Sequence, residues 1–79
     1  MHFILNQHYQ ILRFSPEVSA AFRQKLLSLG LLPGLSFQVK RIAPLGDPLQ
    51  IQTRRVNLIL RKKDLAFLQL ETLSLITPE

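Results

Sequence analysis

Apolar and polar residues alternate in several short runs of this chain. In the first run Tyr9 and Ile11 share one face, and in the second Leu35, Phe37 and Val39 do the same. Short alternating runs separated by turn-forming residues are typical of small β-sheet domains. About five strands are therefore predicted, at residues 9–14, 35–42, 49–52, 56–61 and 68–71.

One segment repeats with helical spacing instead. Between residues 16 and 29 the apolar side chains recur every three or four positions, so an amphipathic α-helix is predicted there. Ser15 suits the N-cap and Pro16 the first helical position. A single helical turn is also predicted at residues 61–66.

Glycine and proline mark the turns between these elements. Gly30 can adopt the left-handed conformation that ends a helix, and Pro33-Gly34 fits the central positions of a type II turn. A second turn with Asp47 follows the strand at 35–42, and its carboxylate is expected to accept backbone N–H groups, although a metal or partner contact stays open. The predicted structural turn residues are Gly30, Pro33, Gly34, Pro44, Gly46, Asp47 and Pro48.

The expected fold is mostly β: a small barrel of about five strands with one added helix. Short strands avoid exposed edges by curling into a barrel. The 79 residues are expected to form one domain, 1–79, with loose termini at 1–8 and 73–79. Cysteine is absent, so neither a disulfide nor a thiolate metal site is expected. No apolar run approaches the length of a membrane span, and a cytoplasmic location without direct membrane insertion is expected.

The sequence lacks the residue combinations that catalysis requires. Its five acidic residues are scattered, and both histidines, His2 and His8, lie in the N-terminal segment without a third ligand at fixed spacing. We therefore predict that the chain is not an enzyme, with no catalytic, cofactor-binding or metal-ligating residue assigned.

The net charge of +5 permits contact with nucleic acid, an anionic membrane face or an acidic protein. The basic groups at 54–55 and 61–63 can lie near each other in a small barrel and form a docking patch, or they are ordinary solvated turn charges. Several apolar residues fit no single core and favour an interface, although scattered exposed leucines are also normal. The predicted partner-binding residues are Leu31, Leu32, Leu45, Ile59, Arg54, Arg55, Arg61, Lys62 and Lys63.

Three segments in order resemble one family. The runs LLSLGLLPG at 26–34, APLGDP at 43–48 and VNLILRKKDLA at 56–66 are similar to the ferrous-iron-transport accessory protein A family, FeoA. The resemblance covers residues 9–71 and leaves 1–8 and the end of the chain unmatched. It implies an SH3-like barrel, a cytosolic role beside a ferrous iron permease of the FeoB type, whose soluble part is a GTPase, and weak transition-metal binding without an agreed ligand set.

Three functions are therefore considered. The favoured one is an interaction module that binds the cytoplasmic GTPase-bearing part of the iron permease and tunes iron uptake. The alternatives are a small basic RNA- or DNA-binding module, which the absence of stacking aromatics disfavours, and a transition-metal-responsive switch. The oligomeric state is left open by the sequence.

Overall fold

The computed structural model describes residues 2–73, and five strands and two helices follow one another there. The prediction of a mostly β fold with one longer helix is confirmed. In chain order the elements are β1 (His8–Phe14), α1 (Ala20–Ser28), β2 (Ser36–Ile42), β3 (Leu49–Gln52), β4 (Asn57–Leu60), α2 (Lys62–Leu65) and β5 (Leu68–Leu73).

The strands form one antiparallel sheet in the order β4-β3-β2-β1-β5. Within residues 2–73, β4 and β5 are the two edges and do not pair with each other, so the hydrogen-bonded sheet is open where a closed barrel was expected. The short helix α2 connects these two edges, and its Leu65 is buried in the core. The predicted loose segment 74–79 lies outside the described residues.

The core lies on one face of the curved sheet. Because side chains alternate along a strand, β1, β2 and β3 each place two apolar residues inward. Leu26 of α1 and Leu65 of α2 join them from outside the sheet. The buried residues are Tyr9, Ile11, Leu26, Leu31, Phe37, Val39, Leu49, Ile51, Leu60, Leu65 and Leu68.

The N-terminal segment differs from the loose terminus that was expected. The ring of Phe3 packs edge-on against Tyr9 with centroids 5.2 Å apart, and the N–H of Ile4 donates to the Tyr9 hydroxyl at 2.9 Å. The N–H of Asn6 donates to the carbonyl of Val39 at 2.6 Å. A buried tyrosine needs a hydrogen-bond partner for its hydroxyl, and this segment supplies one.

The helix begins later than the sequence pattern predicted. Ser15 and Pro16 form a turn, in which the Ser15 hydroxyl accepts from the N–H of Glu17 at 3.3 Å and the Val18 N–H donates to the Ser15 carbonyl. Ser19 is the actual N-cap, since its hydroxyl accepts from the N–H of Phe22 at 3.1 Å. Ser-Pro-Glu suits both a β-turn and a helix start, so the prediction that the helix begins at Pro16 was wrong.

The end of α1 explains why Leu31 is buried. Gly30 has a φ of +91°, its N–H donates to the Leu27 carbonyl at 2.9 Å, and the N–H of Leu31 donates to the Leu26 carbonyl at 3.0 Å. These two bonds define a Schellman motif, which commonly brings its last residue against the helix residue five positions earlier. Leu31 and Leu26 are accordingly both in the core.

The prediction that Leu31 binds a partner was therefore wrong. Leu31 is 0% exposed, whereas the neighbouring Leu32 is 44% exposed. The predicted type II turn is supported, because the Leu35 N–H donates to the Leu32 carbonyl at 3.1 Å across Pro33 and Gly34, and Gly34 has a φ of +94°.

Asp47 joins the β2–β3 turn to α2. Its carboxylate oxygen Oδ1 accepts from the backbone N–H of Lys62 at 2.9 Å. The carboxylate does bind a backbone N–H, as expected, but the donor lies 15 residues away and not within its own turn. The first N–H groups of a helix have no partner within the helix, and Asp47 provides one from a distance.

The two adjacent leucines give a matched test of the core assignment. We expect Leu31→Ala to lower the free energy of unfolding by about 2–5 kcal/mol, because it leaves a cavity against Leu26. Leu32→Ala is expected to change it by less than about 0.5 kcal/mol. Chemical denaturation of the two variants checks this, and equal effects would show that Leu31 is not a core residue.

Asp47→Ala is expected to lower the free energy of unfolding by about 1 kcal/mol, because the Lys62 N–H loses its acceptor. Asp47→Asn keeps an acceptor oxygen and is expected to lose less. The measurement is denaturant unfolding of both variants beside the wild type. If alanine and asparagine are equally tolerated, the hydrogen bond does not stabilise α2.

Candidate docking surface

Most of the predicted partner-binding residues lie along one edge of the sheet. We call residues 54–63 the β4 edge; this segment contains the β3–β4 turn, β4 and the start of α2. It holds six of the nine predicted residues: Arg54, Arg55, Ile59, Arg61, Lys62 and Lys63.

The other three predicted residues lie elsewhere. Leu45 is 96% exposed in the β2–β3 turn, which Asp47 ties to the start of α2. Leu31 lies in the core, and Leu32 lies in the loop between α1 and β2. That loop is attached to β1, because the Gly34 N–H donates to the Ile11 carbonyl at 2.7 Å. Leu45 therefore adjoins the β4 edge, and Leu32 does not belong to it.

The β3–β4 hairpin determines which side chains of β4 face outward. The Thr53 N–H donates to the Val56 carbonyl at 2.9 Å, and the pairs Ile51↔Leu58 and Leu49↔Leu60 follow along the ladder. Leu60 is buried and Ile59 is 69% exposed, as the alternation predicted. Val56 was also predicted to face inward, and this was wrong, because it lies in the turn before β4 begins and is exposed.

Positive charge is concentrated at the two ends of the β4 edge. All five arginines and lysines between residues 54 and 63 are exposed, and no acidic residue occurs between Asp47 and Asp64. Both of these carboxylates accept backbone N–H groups at the start of α2: Asp47 from Lys62, and Asp64 from Arg61 at 3.4 Å.

The two basic groups do not form one patch. They are separated by the length of β4, about 20 Å between Arg55 and Arg61 for an extended chain. This distance exceeds the screening length of about 8 Å at physiological salt. The groups at 54–55 and 61–63 therefore flank β4 at opposite ends and do not lie near each other, a placement that the sequence had left open.

A depression of about 460 Å³ lies beside this edge. It is lined by Lys62 and Lys63 and by apolar side chains from α2, β5 and Phe3. No acidic, histidine or hydroxyl side chain is among its lining residues within 2–73. This depression has the size and lining to hold an apolar or anionic group.

Within 2–73 no group of three histidine, cysteine, aspartate or glutamate side chains is placed to hold an ion. His8 begins β1 and His2 is exposed near the N-terminus.

One element of this surface was missed at the sequence level. Asn57 and Ile59 share the outer face of β4, both are exposed, and their backbone N–H and C=O groups point away from β3. The Thr53-Arg54-Arg55 turn is the sequence feature that could have revealed this. It sets the register of the β3–β4 hairpin, and the register determines which backbone groups of β4 point outward.

No helix in residues 2–73 is both long and apolar enough to cross a bilayer. The longer helix, α1, has nine residues.

Comparison with known proteins supports the resemblance noted in the sequence. A Pseudomonas aeruginosa protein solved by solution NMR is 49% identical, with 94% of this chain and 100% of that chain covered and a TM-score of 0.74. Iron(II) transport protein A from Clostridium thermocellum is 30% identical, with 89% and 42% covered and a TM-score of 0.79.

A third structure identifies the fold. FeoA of Stenotrophomonas maltophilia, solved in complex with zinc, is described as an SH3 domain protein. It is 18% identical, with 89% of this chain and 85% of that chain covered and a TM-score of 0.73. The predicted SH3-like fold is therefore confirmed. The family model of the FeoA domain matches residues 4–71, and the chain accordingly belongs to the FeoA family.

Proposed function

We propose that this protein is an accessory factor of bacterial ferrous iron uptake. In this proposal it is a protein–protein interaction module that binds the cytoplasmic, GTPase-bearing part of a FeoB-type ferrous iron permease. Family membership and the 30% identity to an iron(II) transport protein A support the iron-uptake role. The protein would work in the cytoplasm, at the inner face of the membrane through its partner.

The observation that carries the interaction role is the composition of the β4 edge. Ile59 and the nearby Leu45 are the two most exposed large apolar side chains of the described chain, and exposed basic residues surround them. An apolar centre with a charged rim is the arrangement found at protein interfaces, where the centre contributes affinity and the rim accelerates association.

The structure gives less support to the two alternatives. Single-stranded nucleic acid is bound by exposed aromatic rings, whereas all six aromatic residues of this chain are buried or half-buried. A metal-responsive switch requires ligands, and residues 2–73 bring no three of them together. Both remain outcomes that binding experiments with RNA and with ferrous ion can detect.

The proposed function predicts that cells carrying the permease but lacking this protein take up ferrous iron more slowly. Expression of the full chain is expected to restore the rate, and the chain is expected to co-purify with the detergent-solubilised permease. The measurement is uptake of radioactive ferrous iron under reducing conditions. Unchanged uptake together with no co-purification would contradict the proposal.

Reversing charge at the β3–β4 turn tests the steering role of the basic rim. The double variant Arg54→Glu, Arg55→Glu lowers the net charge from +5 to +1, since each reversal removes two charges. We expect at least about a tenfold slower association with the permease at low salt and a smaller effect at high salt. Stopped-flow or surface-based kinetics measure this rate.

The matched control is Arg23→Glu with Lys25→Glu, which makes the same change in net charge on exposed positions of α1. This variant is expected to associate at nearly the wild-type rate. An equal loss in both variants would show a general effect of net charge. No loss in the folded Arg54/Arg55 variant would exclude this turn from steering.

A further inference from the structure

We propose that β4 binds an extended, acidic segment of the partner protein as an additional strand of the sheet. The inference rests on the proposed function and specifies the chemistry of the partner segment. It is carried by three observations: the unpaired side of β4, the exposure of Ile59, and the charge at both ends of the strand.

The backbone of β4 has one side without a strand partner in residues 2–73. Hydrogen-bonded and non-hydrogen-bonded pairs alternate in an antiparallel ladder. Thr53 and Val56 form a hydrogen-bonded pair at the turn, so Leu58 and Leu60 direct their N–H and C=O groups toward β3. Asn57 and Ile59 therefore direct theirs outward, where an added strand can pair with them.

The side chains leave this edge accessible in its middle. Natural edge strands are commonly protected by charged residues or proline within the strand. The four residues of β4 are Asn-Leu-Ile-Leu, without charge or proline, and Ile59 is 69% exposed. A β-branched or aromatic residue on an added strand can cover Ile59 as a cross-strand neighbour.

The basic residues at both ends of β4 favour an added strand with acidic residues. Arg54 and Arg55 stand at the start of β4, and Arg61, Lys62 and Lys63 follow its end. A segment with acidic residues at both ends and alternating apolar residues between them would complement this pattern. Main-chain pairing provides affinity in strand addition, and side chains provide specificity.

The same charges disfavour pairing with a second copy of this chain. Two β4 strands related by a two-fold axis would run antiparallel, which brings residues 54–55 of one copy beside residues 61–63 of the other. All five side chains are positive, and like charges on paired strands are destabilising. The other edge, β5, carries the exposed acid Glu71, so it is less suited to an acidic segment.

The test uses the full chain and a blocked synthetic peptide of sequence DEVTVTVED as the probe. Two control peptides test separately the need for strand pairing and the need for negative charge. In DEVTPTVED the charge is kept but proline interrupts strand pairing, and in KKVTVTVKK the charge is reversed. We expect the first peptide to bind at least about tenfold more tightly than either control.

Amide hydrogen exchange gives the direct readout. On binding the acidic peptide, the N–H groups of Asn57 and Ile59 are expected to become protected. Those of Leu58 and Leu60 already face β3 and are expected to change little. Because this measurement uses the wild-type chain, it does not depend on the folding of any variant.

A matched pair of variants tests the side-chain contribution. Ile59→Glu is expected to weaken peptide binding at least about tenfold, whereas Ile59→Val, which keeps an apolar β-branched side chain, is expected to retain it. The same pair is then compared in co-purification with the permease, where only the Glu variant is expected to lose its partner.

The inference would be overturned by equal binding of the proline peptide, by absence of protection at Asn57 and Ile59, or by tighter competing binding of an RNA oligonucleotide. If both Ile59 variants co-purify with the permease as well as the wild type does, the proposed function is retained but the β4 edge is not the docking site. Peptide binding without any permease binding would instead remove the proposed function.

Discussion

The structure depends on one layer of apolar side chains that the three central strands supply. Tyr9 and Ile11, Phe37 and Val39, and Leu49 and Ile51 alternate with outward residues along β1, β2 and β3, and each of the six is almost completely buried. A chain of this size buries a modest fraction of its surface, so each of these contacts is a large share of its stability. The helices and edge strands attach to this layer by few side chains each.

A few contacts hold the helices and the β2–β3 turn in place and thereby determine where the candidate docking surface lies. Leu26 and Leu31 fix α1, Leu65 fixes α2, and Asp47 connects α2 to the β2–β3 turn. Since these contacts lie away from the outer side of β4, the strand keeps its outward backbone groups, Ile59 and its basic ends together in one surface. The proposed function therefore relies on an edge strand whose inner face, with Leu58 and Leu60, packs on the core.

Much of the fold could be predicted from local patterns. Alternation in residues 35–42 predicted a strand with Phe37 and Val39 inward, and the Pro33-Gly34 turn followed from backbone preferences alone. The errors arose where one local sequence suits two structures. Ser-Pro-Glu fits a helix start as well as a β-turn, and Leu31 looks like a loop residue until the Schellman bonds of Gly30 place it against Leu26.

For the candidate docking surface, the sequence suggested many of the residues but not their arrangement. The basic groups and Ile59 were visible in the sequence, whereas their positions at two ends and the middle of one edge strand depend on the β3–β4 register. The outward N–H groups of Asn57 and Ile59 depend on the same register, which the turn at Thr53 sets and which the alternation of apolar residues alone does not specify.

The most direct test of the docking role is site-specific photo-crosslinking in membranes that contain the permease. A photoreactive amino acid in place of Ile59 is expected to crosslink this protein to the permease through an acidic segment, whereas the same replacement at Leu12, an exposed position on β1, is expected to give no such product. Crosslinking from Leu12 and none from Ile59 would contradict the account.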